Sequence, residues 1–180
     1  MASIKQLFLS EKRIGAFPGW TRVERETRYV WFDAHLAIDG ITETGLVLHS
    51  GCYANRPEAN VTFELRLART PGRNSLPIER LDWLSLEGGH SNPRRPRSEW
   101  SGKRVWNTHL RDFWLNWSET EQRMRSGGLS TARDVEIPLE CYTDVLTYIG
   151  QRLRISDISI VSEPPWLYDL FTPDDMSWRP

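Results

Sequence analysis

The chain has 180 residues, 39% of them hydrophobic and 26% charged, with a formal net charge of −1. This is the length of one domain of roughly 100–200 residues, too apolar and too nearly neutral for a disordered chain. No apolar run approaches the ~18 residues of a membrane span, and Leu7-Phe8-Leu9 is too short for the core of a signal peptide. A soluble, cytoplasmic protein without membrane association is expected, and Cys52 and Cys141, far apart in sequence, read as small hydrophobes rather than as a disulfide or thiolate zinc site.

In chain order, Arg28 to Ile38 alternates, with Val30, Phe32, Ala34, Leu36 and Ile38 on one side and Tyr29, Trp31, Asp33, His35 and Ala37 on the other. That pattern predicts a strand with an apolar face and a mixed face. Asp39-Gly40 is a hairpin signal, and Leu46 to Tyr53 supplies the returning strand. Val61 to Ala68 alternates cleanly as a third strand, Thr70 to Asn74 is a loop, and Ile78 to Leu86 is the fourth. Gly88 to Lys103, rich in Gly, Pro and basic residues, reads as a long loop. Val105 to Trp117 fits helical spacing, yet its aromatic and β-branched content favours a strand.

Ser118-Glu119-Thr120-Glu121 reads as a capping box opening a short helix that Gly127-Gly128 ends. Leu139, Tyr142, Leu146, Ile149 and Leu153 recur at spacings of three and four, with Pro138 in the first turn, which predicts a helix covering one face of the sheet. Ile155 to Val161 reads as a short closing strand. The expected fold is α+β: an antiparallel meander of four or more strands covered by one or two helices. Residues 1–161 form the domain, and 162–180 a Pro-rich, acidic-aromatic C-terminal tail.

No phosphate-cradling glycine loop, nucleophile elbow or zinc-protease motif occurs. The constellation with the most chemistry joins Arg80, Asp82, His90, Asn92, His109 and Asp112, all flanking or following the long basic loop. Two histidines with carboxylates suit acid–base work on a phosphodiester, with Arg80 and Arg111 steadying the anion. The order Arg80-x-Asp82, His90-Ser91-Asn92-Pro93 and Thr108-His109-Leu110-Arg111-Asp112-Phe113 resembles an R-x-D, H-x-N-P, H-x-H pattern in uncharacterised bacterial domain-of-unknown-function proteins. The resemblance covers about a fifth of the chain, and Arg111 stands where the second histidine would be. It implies a place for a site and no particular activity. No metal or other cofactor is expected, since the histidines are scattered. Asp33 and His35 would meet His49 as a metal site across a turn of about five residues, whereas a two-residue turn would move His49 out of reach.

Charge is uneven along the chain: Lys and Arg against Asp and Glu stand at 7 to 7 over residues 1–60, 13 to 8 over 61–133, and 3 to 9 over 134–180. Arg94, Arg95, Arg97, Lys103 and Arg104, interleaved with Trp100 and Trp106, are the combination of charge and flat rings that single-stranded nucleic acid requires. Salting of this loop to the acidic C-terminal segment accounts for the same residues. Nine tryptophans are more than one small core needs, so some should be exposed as contact points for another macromolecule. In the tail, Trp166, Tyr168, Phe171 and Trp178 stand beside carboxylates and prolines, suiting a groove with an apolar floor and basic rim on a partner protein or on the chain's own domain. The leading expectation is a non-catalytic interaction protein with a protein partner. The alternatives are a phosphodiester-directed hydrolase or nuclease centred on His90 and His109, and a single-stranded nucleic-acid binder working through residues 93–111.

Overall fold

The structure is a computed structural model that describes residues 3–68, 75–95, 98–125 and 128–168. Alternation dictates its centre. Val30, Phe32, Ala34 and Leu36 are all buried along β2 (Tyr29–Ile38), after the short α1 (Ile4–Leu9) and β1 (Arg13–Ile14). There follow β3 (Ile41–Tyr53), β4 (Val61–Leu67), β5 (Leu76–Trp83), β6 (His90–Ser91), β7 (Arg104–Val105) and β8 (His109–Arg111). Beyond these lie α2 (Phe113–Asn116), β9 (Trp117–Ser118), β10 (Arg123–Met124), β11 (Arg133–Asp134), α3 (Tyr142–Leu153) and a 3-10 turn at Ile158–Ile160. The fold is α+β: β1, β2, β3, β4, β5, β8 and β11 form, in that order, one seven-stranded antiparallel sheet. No helix among the described residues is long and apolar enough to cross a membrane.

One face of the sheet carries the core. Phe32, Phe63, Leu65, Leu81 and Trp83 are buried there, and α3 lays Tyr142, Val145, Ile149 and Leu153 inward, the Tyr142 ring 6.1 Å from that of Phe63. α1 joins the same core through Phe8, stacked at 4.3 Å on Phe113. The Lys12 amine is buried between the two helices and donates to Phe8 O, Ser10 O and Leu153 O, carbonyls at or just past the ends of α1 and α3. Those carbonyls have no partner within their helices, so the ammonium closes both ends at once. Burial, then the nearby Arg154 charge, brings its pKa down to about 8.

Where the structure departs from expectation, tertiary partners decide. Ser118 Oγ does accept from Glu121 N, as a capping box would, but Gln122 enters the left-handed region and the chain turns back as the β9–β10 hairpin, burying Trp117 opposite Met124. Val105 to Trp117 divides: His109–Arg111 pairs with β5, and Asp112 then caps the single turn of α2. α3 begins at Tyr142, beyond Pro138, because the Asp144 carboxylate gathers the amides of Glu140 and Cys141. Ile155 bridges Lys12 before the 3-10 turn, in place of a closing strand. The long basic loop contains a small ladder, β6 on β7. The loop at residues 70–74 lies outside the described residues.

Residues 162–168 run back over the core. Trp166 is 8% exposed and meets Tyr142 edge to face at 5.6 Å, while Leu167 N donates to Ala54 O. Truncation after Glu163, or Trp166→Ala, is therefore expected to cost ~3–5 kcal/mol, the range for emptying a buried tryptophan site. Chemical denaturation of wild type and variant checks this, and an unchanged midpoint would place Trp166 outside the stabilising core.

Candidate active site on the polar face of the sheet

The sheet's second face is polar, and antiparallel register sorts it into cross-strand rows. In one row Trp31 pairs with Gly51, Gly51 with Thr62, Thr62 with Asp82, and Asp82 with His109. In the next, Asp33 pairs with His49, His49 with Glu64, Glu64 with Arg80, and Arg80 with Arg111. Each of these side chains points away from the core because its strand neighbours point into it.

Asp82 is the hub. Its Oδ1 accepts from Arg80 Nε at 2.8 Å, Arg80 Nη2 at 2.6 Å and Thr62 Oγ1 at 3.0 Å; its Oδ2 accepts from Arg111 Nε at 3.2 Å and lies 3.3 Å from His109 Nε2. Burial alone would raise the Asp82 carboxyl, but His109 and the Arg80 guanidinium reverse this and hold it well below the usual carboxylate range. Burial likewise opposes the Arg80 charge, and Asp82 more than compensates.

A cavity of about 140 Å³ opens above this carboxylate. That is space for a few heavy atoms, a water in the liquid occupying about 30 Å³. Its lining is almost wholly polar: Arg80, Arg111 and His109 with Asp82 and Glu87, the hydroxyls of Tyr29, Tyr53, Thr62 and Ser85, and Asn60. Gly51 is needed at its floor, since a Cβ there would collide with the Tyr29 hydroxyl. Gly89, at φ +95°, lets the loop approach the Val105 carbonyl where any side chain would clash.

The two histidines are oriented differently. His109, 2% exposed at its side chain, donates from Nδ1 to Trp106 O at 2.8 Å, so that Nε2 faces Asp82 at a distance and angle that leave it without a full hydrogen bond. The His90 ring is stacked 5.9 Å from that of His109, with its Nε2 donating to Ser130 O at 2.8 Å. Burial, with the charges of Arg111 and His109, lowers the His90 pKa against the pull of that bond. The neutral ring therefore carries its lone pair on Nδ1.

Of the residues singled out in the sequence, Arg80, Asp82 and His109 come together here, with His90 behind. Asp112 lies on the other face: it caps α2, and its Oδ2 binds Arg133 and Arg152, beside Glu79. Asn92 is structural, exchanging two 2.7 Å bonds with the Ala132 backbone. In the basic loop, Arg104 donates to Gly88 O at the cavity rim, Arg95 reaches Ser130, Lys103 lies over the Trp100 ring, Arg94 is exposed and packs along Gly102, and Trp106 is 77% exposed. Tyr168 is exposed and donates to Glu163; Arg97, Phe171 and Trp178 lie outside the described residues. Tyr29, Tyr53, Asn60 and Thr62 went unmarked in the sequence, although the alternation that places Tyr29 opposite the apolar face was readable.

The Asp39-Gly40 turn has two residues, yet Asp33 and His49 meet, Nδ1 to Oδ1 at 2.7 Å. Past the turn β3 takes five steps, Thr42 to Val47, while β2 takes two, Ala37 to His35, and this bulge restores the register. Arg66 Nη2 closes the group on Asp33 at 2.6 Å, so Asp33 holds an ion pair. Among the described residues no three His, Cys, Asp or Glu side chains are disposed to hold a metal ion. Compared with protein-family models, curated proteins and solved structures, the chain matches none.

The two faces respond to acid in opposite senses. Glu79, buried on the core face, is pushed up to about 6 by desolvation despite its bonds from Arg152. Its unfolded value is about 4.3, so its contribution is present below that pH and lost as pH rises through 6, roughly 2 kcal/mol in all. Asp82 is depressed, so its contribution is present above about 3.9 and lost below it. The melting temperature is expected to peak near pH 4–5. In Glu79→Gln the decline between pH 4.5 and 6.5 should become shallower, leaving the part that belongs to Glu64, whose carboxyl burial also raises. A decline as steep in the variant as in wild type would assign it to another group.

Proposed function

We propose that the cavity seats the phosphate of a phosphodiester and that the protein is a phosphodiester-directed hydrolase. The observation that carries this is the meeting of two guanidinium groups from adjacent strands, Arg80 and Arg111, beside a buried imidazole nitrogen without a full hydrogen bond, in a small polar cavity. Each guanidinium has five N–H donors in a fork matched to phosphate. Arg80 gives Asp82 only Nε and Nη2, and among the described residues its Nη1 makes no hydrogen bond. Asp82 orients both forks without covering them.

In hydrolysis a water oxygen bonds to phosphorus as the ester P–O bond breaks; the water loses a proton to a base, and the leaving oxygen gains one from an acid. Arg80 and Arg111 hold the phosphoryl charge as it builds. His109 is the acid of this reading: Nδ1–H is held on Trp106 O, and Nε2, 3.3 Å from Asp82 Oδ2, is the edge that passes a proton to the leaving oxygen. In this reading His90, its neutral ring carrying the lone pair on Nδ1, is the base and acts through a bridging water, since it stacks behind His109 and outside the cavity lining.

Purified protein is expected to cleave a bis(p-nitrophenyl) phosphate reporter or a single-stranded oligonucleotide, assayed with and without added divalent cations. His109→Asn and the less buried His90→Gln should each lower the rate about 10²-fold or more with the circular-dichroism spectrum retained. No cleavage above background in either condition, or a full rate in both variants, overturns the reading.

A second reading, a non-catalytic interaction protein with a protein partner, is supported by the exposure of Trp106, Leu167 and Tyr168. It differs in placing recognition outside the cavity, so Arg80→Ala would leave it intact.

A further inference from the structure

We propose that the Tyr29 hydroxyl is a binding donor of the polar cavity, set opposite Arg80 and Arg111, and that this opposition selects a tetrahedral phosphoryl group over a planar carboxylate. The proposal rests on the reading of the cavity as a phosphate site and deepens it by naming the residue and the geometry that choose the anion.

The cavity has two walls. On one, Asp82 gathers Arg80, Arg111 and His109. On the other stand Tyr29 and Tyr53, which face each other across β2 and β3 with their rings edge to face at 5.3 Å. Tyr29 is also diagonal to Gly51, the partner of Trp31. Diagonal neighbours on one face of a sheet lie about 7–8 Å apart, within reach of an aromatic side chain. The Tyr29 ring crosses that interval and brings its hydroxyl over Gly51, where only the absence of a Cβ admits it.

The span between the walls suits the anion. Gly51, Thr62 and Asp82 follow one another in a cross-strand row on β3, β4 and β5, and all three line the cavity. Two strand spacings of about 4.8 Å place the walls about 10 Å apart at the backbone. A phosphoryl group with charge-assisted hydrogen bonds of about 2.8 Å on opposite sides needs about 8 Å between its donors. Thr62, between the walls, is short and turns its hydroxyl to Asp82 at 3.0 Å, which leaves the floor low.

Among the described residues the Tyr29 hydroxyl makes no hydrogen bond; the ring is placed by Tyr53 and by the gap at Gly51. Burial, and then Cys52 and Tyr53, raise its pKa above the ordinary phenol value against the pull of Arg80 and Arg66. The group therefore keeps its proton near neutral pH and donates without adding charge. Opposed donors discriminate by shape. A carboxylate presents two oxygens in one plane, and a single guanidinium fork satisfies both. Its far side offers the hydroxyl no acceptor. The oxygens of a phosphoryl group point to the corners of a tetrahedron, so donors on both walls find one.

Isothermal titration calorimetry with inorganic phosphate and with acetate, at constant ionic strength, tests this. Wild type should bind phosphate at least about tenfold more tightly than acetate. Tyr29→Phe keeps the ring against Tyr53 and removes only the oxygen. It should weaken phosphate binding about 10- to 100-fold, as loss of a hydrogen bond to a charged group does, and leave the weaker acetate binding unchanged. Gly51→Ala, which displaces the hydroxyl, should weaken phosphate binding to a similar degree, and the double variant little further, because both changes remove one interaction. Equal phosphate affinity in wild type and Tyr29→Phe overturns the donor role while leaving the cavity reading in place. An equal loss for phosphate and acetate in Tyr29→Phe, or a wild type that binds acetate as tightly as phosphate, overturns the selection by shape. A wild type that binds no phosphate, or an Arg80→Ala variant that binds it unchanged, overturns the cavity reading itself.

Discussion

The charged face depends on the pairing of β5 with its two neighbours. Alternation along this strand sends Glu79, Leu81 and Trp83 to the core and Arg80 and Asp82 to the other side, so a single run of backbone bonds sets both the packing and the polar cluster. A slip of one residue would put Asp82 in the core and Trp83 in water. The polar cluster is thus fixed by apolar burial on the face it does not share. Asp82 then converts that register into geometry, since its two oxygens collect groups from three strands: Thr62 of β4, Arg80 of β5, and His109 and Arg111 of β8. A carboxylate buried with this many donors is costly to leave unpaired, so it keeps the guanidiniums at the cavity wall.

The core face shows the same chemistry used to a different end. Glu79 and Asp112 bind Arg152 and Arg133, and Glu79 also accepts from Phe113 N. This network ties α3 and α2 to the sheet and faces a groove whose other residues, among them Phe8, Trp114 and Tyr148, are largely apolar. Its carboxylates are consumed by structural partners: Asp112 gives one oxygen to the helix cap and the other to two arginines. Two acid–base clusters therefore lie on opposite faces of one sheet, and the one centred on Asp82 opens into a polar cavity.

The alternating strands were legible because period-two patterning is local: Val30 to Leu36, Val61 to Leu65, and the hairpin at Asp39-Gly40 follow directly from residue type. Arg80, Asp82 and His109 were legible as a group for the same reason, each being polar within or beside an apolar run. What escaped was set by distant contacts. The 118–127 segment carries a helix-start signal, but burial of Trp117 against Met124 makes it a hairpin. Asp112 stands three residues from His109, and strand parity alone sends it to the far face. His49 meets Asp33 only through a bulge that includes Gly45, which is at φ +83° and close enough to the Ala68 carbonyl that a side chain would clash. Tyr29 and Gly51 form one feature, a ring laid where a side chain is missing, and neither residue announces it alone.

The uneven charge along the chain can now be followed to its partners. A basic middle and an acidic end would cancel if they paired, but of the described ion pairs only Arg133 with Glu136, three residues apart, runs from one to the other. Arg80 and Arg111 take Asp82 from within the middle, and Arg133 takes Asp112 from the same stretch. The C-terminal segment supplies an arginine, Arg152, to middle carboxylates. Its own acids are used elsewhere, Asp144 on backbone amides before α3 and Asp157 on the Ile14 amide and Arg13. Among the described residues, Arg94, Lys103 and Arg104 form no ion pair, and Arg104 spends its bond on a carbonyl at the cavity rim. Positive charge thus remains beside the cavity that Arg80 and Arg111 line. Such a field raises the local concentration of anions and speeds their encounter.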